Sequence, residues 1–419
     1  MKKNKKSLTP TLRFPGFTGT WKQRELNEIA SIYDGTHQTP KYTSNGIPFL
    51  SVENIATLQS NKFISEEDFL RDFPIYPRKG DVLLTRIGDV GTANVYEGNE
   101  RIAFYVSLAL LKLKGTDPYF VNASFRSHTT RKEVWKRTLH IAFPKKINKN
   151  EIGKVNIQLP SLAEQQKIGE FFKLLDQTIT FHQRKLEELK ILKKAFLQKL
   201  FPKNGQLKPE LRFPGFVNDW VQRKFYDCFK LLRNNTLARS DLTENGKIRN
   251  IHYGDVLINY PEVLDISTAT VPFISKGKVN GSSKNCFLEN GDVVIADTAE
   301  DETVGKAVEI QRIINHEVVS GLHTIPCRPQ LKFSPNFLGF LLNSPNFHNQ
   351  LKPLIQGTKV SSISKQTLGE TTLYFPIDLV EQERIGSLLN ELETFITLHR
   401  QKFKNLQNLK KALLEQMFV

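Results

Sequence analysis

The strongest constraint in this sequence is a long heptad-patterned stretch, Ser161 to Phe201, that occurs twice. In the first copy Ile168, Leu175, His182, Leu189 and Phe196 recur every seven residues. Phe172, Ile179 and Leu186 each follow four residues after a member of that series. An apolar seam of this period predicts a helix packed along another helix. Ser161 with Glu164 reads as a capping box at its start, and Pro202 with Asn204-Gly205 stops it. At 1.5 Å per residue the rod would be roughly 60 Å long. The second copy, Asp378 to Phe418, is identical at 17 of 41 positions when shifted by 217. Its seam carries Ile385, Leu389, Leu392, Ile396, His399, Phe403, Leu406 and Leu413. Two equal rods separated by a domain-sized insert are predicted to pair antiparallel. Centre-to-centre pairing would bring His182 close to His399. That pair reads either as a metal- or pH-sensing device or as a core-edge residue kept by duplication; two ligands alone make a poor metal site.

The duplication extends beyond the rods. Leu12-Arg13-Phe14-Pro15-Gly16-Phe17, then Trp21 and Gln23-Arg24, returns as Leu211-Arg212-Phe213-Pro214-Gly215-Phe216, then Trp220 and Gln222-Arg223. The predicted order is a basic polar tail (1–11), a globular segment (12–160), a long helix (161–205), a second globular segment (206–377) and a second long helix (378–419). Joining Val419 to Met1 would recreate the internal linkage, so the arrangement is cyclic and pseudo-twofold. The two middles are dissimilar in sequence. Each reads as mixed β with some helix, an α+β class. Gly80-Asp81-Val82-Leu83-Leu84 and Gly291-Asp292-Val293-Val294-Ile295 are matching turn-to-strand phrases.

A formal charge of +16 points to a polyanion, with nucleic acid the leading candidate. Cys228, Cys286 and Cys327 are scattered, as in reduced cytoplasmic proteins, and show no zinc-ligand spacing. No apolar run has membrane-spanning length, and the N-terminal Lys-rich tail lacks the apolar core of a signal peptide. The sequence contains no G-x-x-x-x-G-K-[ST], G-x-G-x-x-G or H-E-x-x-H, and no [DNS]-P-P-[FYW] methyltransferase pocket. No catalytic or metal-ligating residue is assigned.

The middles carry the candidate DNA contacts. In the first these are Thr36, His37, Lys41 and Tyr42 in a polar loop, Arg86 beside a glycine turn, and Arg101. In the second they are Lys276, Lys278 and Lys284 within S-K-G-K-V-N-G-S-S-K, and Thr358, Lys359, Ser361 and Ser362. Lys and Arg neutralise phosphates or read guanine, and the hydroxyl residues read edges and backbone. The plain alternative for any one of them is a solvated loop residue. Glu164, Gln165, Glu381 and Gln382, expected to be exposed, are candidates for a partner-docking face, with helix capping as their alternative. Lys193, Lys194, Lys410 and Lys411 would either face DNA or solubilise the rod.

This order of motifs resembles the specificity (S) subunit of a type I restriction–modification enzyme over nearly the whole chain. The carrying features are R-F-P-G-F before a Trp, G-D-V-[LV]-[LI], and E-Q-x-[KR]-I-G opening a long helix, each twice. The resemblance implies two target recognition domains, each reading half of a bipartite, asymmetric DNA target, with the paired helices as a ruler. It implies two adenine methyltransferase subunits and restriction/translocase subunits as partners. S-adenosylmethionine, ATP and magnesium would sit in those partners, with no cofactor and no catalysis in this chain. The alternatives are a self-contained methyltransferase or nuclease with a divergent site, and a structural coiled-coil protein with two β-rich heads.

Overall fold

The computed structural model describes residues 9–203, 205–275, 287–357 and 360–419. The chain divides into two compact units, Met1–Gln183 with Gln401–Val419, and Arg184–Arg400. Both boundaries fall inside the long helices, which span Leu162–Lys199 and Leu379–Met417.

In the first unit a short two-stranded ladder pairs Lys22–Glu25 antiparallel with Asn156–Leu159 and closes the globular part at its junction with the first long helix. A four-stranded antiparallel sheet follows in the order Ala30–Asp34, Leu108–Leu113, Val82–Thr85, Ala93–Val95. A three-stranded sheet runs Phe63–Ile64, Ile47–Leu50, Ala103–Phe104, the last pair parallel. Val82–Thr85 is buried on both faces, which is why its run of apolar residues does not alternate.

The second unit repeats this plan with larger sheets. Val221–Lys224 pairs with Thr372–Phe375. The main sheet is Phe229–Leu231, Thr324–Pro329, Val293–Ala296, Ala307–Gln311, Val263–Asp265. The lesser sheet is Leu242–Thr243, Phe273–Ile274, Ile248–Ile251, Glu317–Ser320, with the last pair parallel. Middles that look unrelated in sequence therefore share a common four-strand plan in the main sheet, to which the second unit adds Val263–Asp265 as a parallel edge strand, because a sheet demands burial and strand-compatible side chains and not particular residues.

The two long helices run antiparallel in each unit. In the first, the Asp176 carboxylate receives Lys410, and Phe172 and Phe418 lie 5.8 Å apart by ring centroids. In the second, Lys193 Nζ lies 2.7 Å from Glu393, and Leu186, Leu189, Leu392 and Ile396 form one cluster. Lys193–Glu393 occupies the repeat positions of Lys410–Asp176. Lys193 and Lys410 are thus inter-helix ties, whereas Lys194 and Lys411 are exposed. All sixteen predicted seam residues are buried or half-buried, His182 and His399 being half-buried.

The cyclic arrangement is written in hydrogen bonds. Leu12 N donates to Gln416 O at 3.0 Å in the first unit, and Leu211 N donates to Lys199 O at 2.9 Å in the second. Trp21 meets Phe418 edge-on at 6.1 Å, as Trp220 meets Phe201 at 6.2 Å. The C-terminal segment is packed as an internal one.

Candidate nucleic-acid interface

In each unit three segments converge on one edge of the main sheet. In the first unit the strand Ala30–Asp34 ends at Gly35, where a Cβ would stand 2.3 Å from Phe104 O, so the chain can only pass here as glycine. Thr36 N then donates to Phe104 O at 3.2 Å, and Val106 N to Thr36 O at 2.9 Å. This anchors the segment that carries His37, Lys41 and Tyr42, all exposed. Tyr42 leans edge-on against Phe49, and Lys62 Nζ lies 5.9 Å from its ring centre. The turn after Val82–Thr85 holds Gly88 and Gly91 at φ of 83° and 96°. Its Gly88 N donates to Lys145 O at 2.8 Å. A hairpin closed by Leu139 and Lys146 abuts it, with Ile87 also bridged to Lys146.

Arg86 sits beneath these loops. It is buried, its guanidinium is engaged by Asp34, and its Nε is 3.3 Å from Ile147 O. Its predicted role as a DNA contact is therefore corrected: it clamps the end of one strand to the hairpin base, and its charge is neutralised inside the chain. Arg101 stays exposed, in a surface pair 2.6 Å from Glu66 and over the Phe69 ring, so its cation remains open to a further partner.

The second unit builds the same edge from other residues. Asn235 N donates to Ser320 O at 2.8 Å, and Asn234 Nδ2 to Gly321 O at 3.2 Å. Ser361–Ser362 pairs antiparallel with Thr298–Ala299, and Ser362 is also bridged to Gln356. Ser361 is half-buried and Ser362 exposed. His252 stacks on Tyr253 at 4.7 Å, and Tyr253 meets His323 edge-on at 5.4 Å. Burial, then the nearby Arg239, pushes the His252 pKa down, so this imidazole favours its neutral form. Lys276, Lys278, Lys284, Thr358 and Lys359 lie outside the described residues.

The sequence reading missed Asn234, Asn235, His252, Tyr253 and His323, along with the 139–146 hairpin. Only the hairpin had a signal, its interleaving of basic and aromatic residues. The histidines and asparagines are scattered in sequence and meet only through sheet pairing.

The four residues expected to dock partners are buried instead. Glu164 and Glu381 are each 1% exposed, and Gln165 and Gln382 are 5% and 1% exposed. Glu164 takes a bidentate pair of bonds from Arg13 at 2.6 and 2.7 Å, and Glu381 takes the same from Arg212 at 2.7 and 2.8 Å. Gln165 accepts from Asp117 N and donates to Pro160 O; Gln382 accepts from Ser334 N and donates to Pro376 O. The Arg of the lead-in and the Glu-Gln of the helix start are thus one lock, used twice, that fixes each globular part to its helix. Half of the expected capping box survives, with Glu164 N donating to Ser161 Oγ at 3.4 Å, since the Glu164 carboxylate is taken by Arg13. Gly169 completes the joint: a Cβ there would lie 2.1 Å from Asp117 Oδ1 and 2.8 Å from Phe120 N, where the helix Pro118–Arg126 begins.

Among the described residues no cluster of three or more His, Cys, Asp or Glu could hold a metal ion, and no helix is long and apolar enough to cross a membrane. The fold is thus a duplicated pair of β-rich units, each locked to a long helix by an Arg–Glu pair. The chain belongs to the type I restriction–modification DNA specificity family, whose domain matches twice, over residues 18–191 and 218–408. It is a non-catalytic, DNA-recognition chain of that family. It is 23% identical over 382 residues to the type I restriction enzyme MjaVIII specificity subunit of Methanocaldococcus jannaschii, covering 88% of this chain and 84% of the relative. Its fold is that of the type I restriction–modification S subunit from M. genitalium, with a TM-score of 0.66 at 13% identity, covering 98% and 99% of the two chains.

Proposed function

We propose that this chain reads a bipartite, asymmetric DNA target, one half with each unit, and holds two adenine methyltransferase subunits over it, with restriction/translocase subunits joining that core. The observation that carries this reading is the pair of equivalent loop edges, alike in backbone plan and unlike in side chains. Thr36, His37, Lys41 and Tyr42 contact one half-site. Ser361 and Ser362, with Lys276, Lys278, Lys284, Thr358 and Lys359, contact the other. Lysines supply phosphate affinity, and the mixed polar groups supply discrimination.

The docking faces belong on exposed apolar positions of the long helices. Phe181 and Leu409 in the first unit are 59% and 48% exposed, and their repeat equivalents Leu398 and Leu192 in the second are 41% and 42% exposed. Two equivalent faces fit two copies of one partner. S-adenosylmethionine, ATP and magnesium act in those partners, and the assembly works in the cytoplasm, where its DNA is.

The test is a map of N6-methyladenine in cells expressing this chain with its methyltransferase partner, against cells lacking it. A new two-part motif with an unread gap is expected, and exchanging residues 21–160 should change one half only. A stable complex that produces no chain-dependent methylation would sink the reading.

A further inference from the structure

The hairpin between Leu139 and Lys146 ends in two apolar side chains held entirely in solvent. Ile141 is 99% and Phe143 104% exposed, and Trp135 beside them is 57% exposed. The support beneath them is firm. Leu139 N donates to Lys146 O at 2.7 Å, closing the base. The His140 ring lies 4.1 Å from that of Trp135, with its Nε2 bonded to Trp135 O at 2.9 Å. Lys145 Nζ sits 4.8 Å from the Trp135 ring centre. A soluble chain gains nothing by presenting a Phe and an Ile this way unless something covers them.

The surroundings say what covers them. Residues 128–149 contain seven Lys or Arg and a single acid, Glu133. That acid is already paired with Lys136 and Arg137 at 2.7 and 2.6 Å. An apolar tip inside a cationic rim suits a polyanion that also offers flat apolar faces, which describes stacked bases between phosphates. The hairpin also adjoins the Gly88 turn on the candidate interface edge.

We propose that Phe143 is a wedge that inserts at a base step in the half-site read by the first unit, with Ile141 beside it and Lys145 and Lys146 on the flanking phosphates. This rests on the DNA-reading role proposed above. The hairpin distorts its DNA and so selects for steps that unstack readily, adding discrimination at positions where no hydrogen bond reads a base. In the second unit Gln356 is bridged to Ser362, and Val360 nearby is 52% exposed, a smaller side chain.

The test uses the full chain assembled with its methyltransferase subunits and a duplex bearing the mapped target, with 2-aminopurine placed in turn at each step of the first unit's half-site. The wild-type complex should raise fluorescence at one step or two adjacent ones. Phe143→Ala should abolish that rise and weaken binding roughly tenfold to hundredfold. Phe143→Trp should retain both. Lys145→Gln with Lys146→Gln should lower the salt slope by about two. Because Phe143 touches solvent only, the Ala variant tests contact and not folding. If the wild type binds but no step brightens, and Phe143→Ala binds equally well, the wedge is wrong. If Phe143→Ala instead loses the methyltransferase subunits on size exclusion with DNA affinity intact, the tip is a protein contact and the wedge is again wrong. Failure of the wild-type complex to bind any duplex overturns the DNA-reading role itself.

Discussion

Phe418 is the penultimate residue, and chain ends ordinarily fray at little cost to stability. Here its ring is 7% exposed and packs on Phe120 at 5.5 Å, Phe172 at 5.8 Å and Trp21 at 6.1 Å. If the C-terminal segment is folded as an internal one, Phe418→Ala opens a cavity among three rings. Phe→Ala at such a site destabilises by about 3–5 kcal/mol, and the lower figure suits a ring that keeps 7% of its surface exposed. With a urea dependence of about 2 kcal/mol per molar, the midpoint falls by about 1.5 M. The assay is 19F NMR of protein labelled with 5-fluorotryptophan. Trp21 and Trp220 lie in different units and Trp135 is exposed, so separate lines follow separate transitions. Phe418→Ala should move the Trp21 line by that amount. Phe201→Ala, at the internal repeat position, should move the Trp220 line comparably. A Trp21 midpoint displaced by less than about 0.2 M, while Phe201→Ala shifts Trp220 fully, would refute the cyclic reading of the fold.

Three further outcomes can be checked, two at the joints and one in the core of the second unit. Arg13→Met leaves the Glu164 carboxylate, 1% exposed, without its cation, and should cost about 3–5 kcal/mol in urea unfolding. Adding Glu164→Leu should recover much of the loss, and a single-variant cost under about 1 kcal/mol would show the pair to be incidental. Gly169→Ala should destabilise by about 2 kcal/mol, since its Cβ meets Phe120 N at 2.8 Å, whereas Gly386→Ala, with its nearest backbone atoms at 3.1 Å, should stay within about 1 kcal/mol of wild type; equal costs in thermal melts would contradict this. Burial, followed by Asp227, pushes the Cys228 thiol up to about 11, and burial pushes Cys327 higher still. Both should resist a thiol reagent at pH 8 until urea unfolds the chain. The folded state holds these protons more tightly than the unfolded one. Their contribution is thus complete below the unfolded thiol range and falls as pH rises toward 11, which urea midpoints across that range would register.

Much of this architecture is legible without coordinates because it is repetitive. A seven-residue period announces helix against helix, and two copies of it announce a partner within the chain. R-F-P-G-F and E-Q-x-[KR]-I-G recur in the same order around unlike middles, so the cyclic plan could be read from spacing alone. The long helices, their seam and the family follow from such local signals.

What those recurring residues do was decided by tertiary structure. Glu164 and Glu381 look like exposed helix-start acids, since charged side chains rarely lie inside; only the approach of Arg13 and Arg212, distant in sequence, makes their burial affordable. Arg86 looks like a loop cation until Asp34 closes on it. The common four-strand plan of the two middles is hidden because a sheet constrains burial, not identity. Elements whose pattern is periodic along one stretch of chain are readable from that stretch. The candidate interface edges, the locks and the exposed Phe143 tip emerge only in three dimensions, because each depends on which distant groups meet, and a pairing energy has no signature in either partner alone.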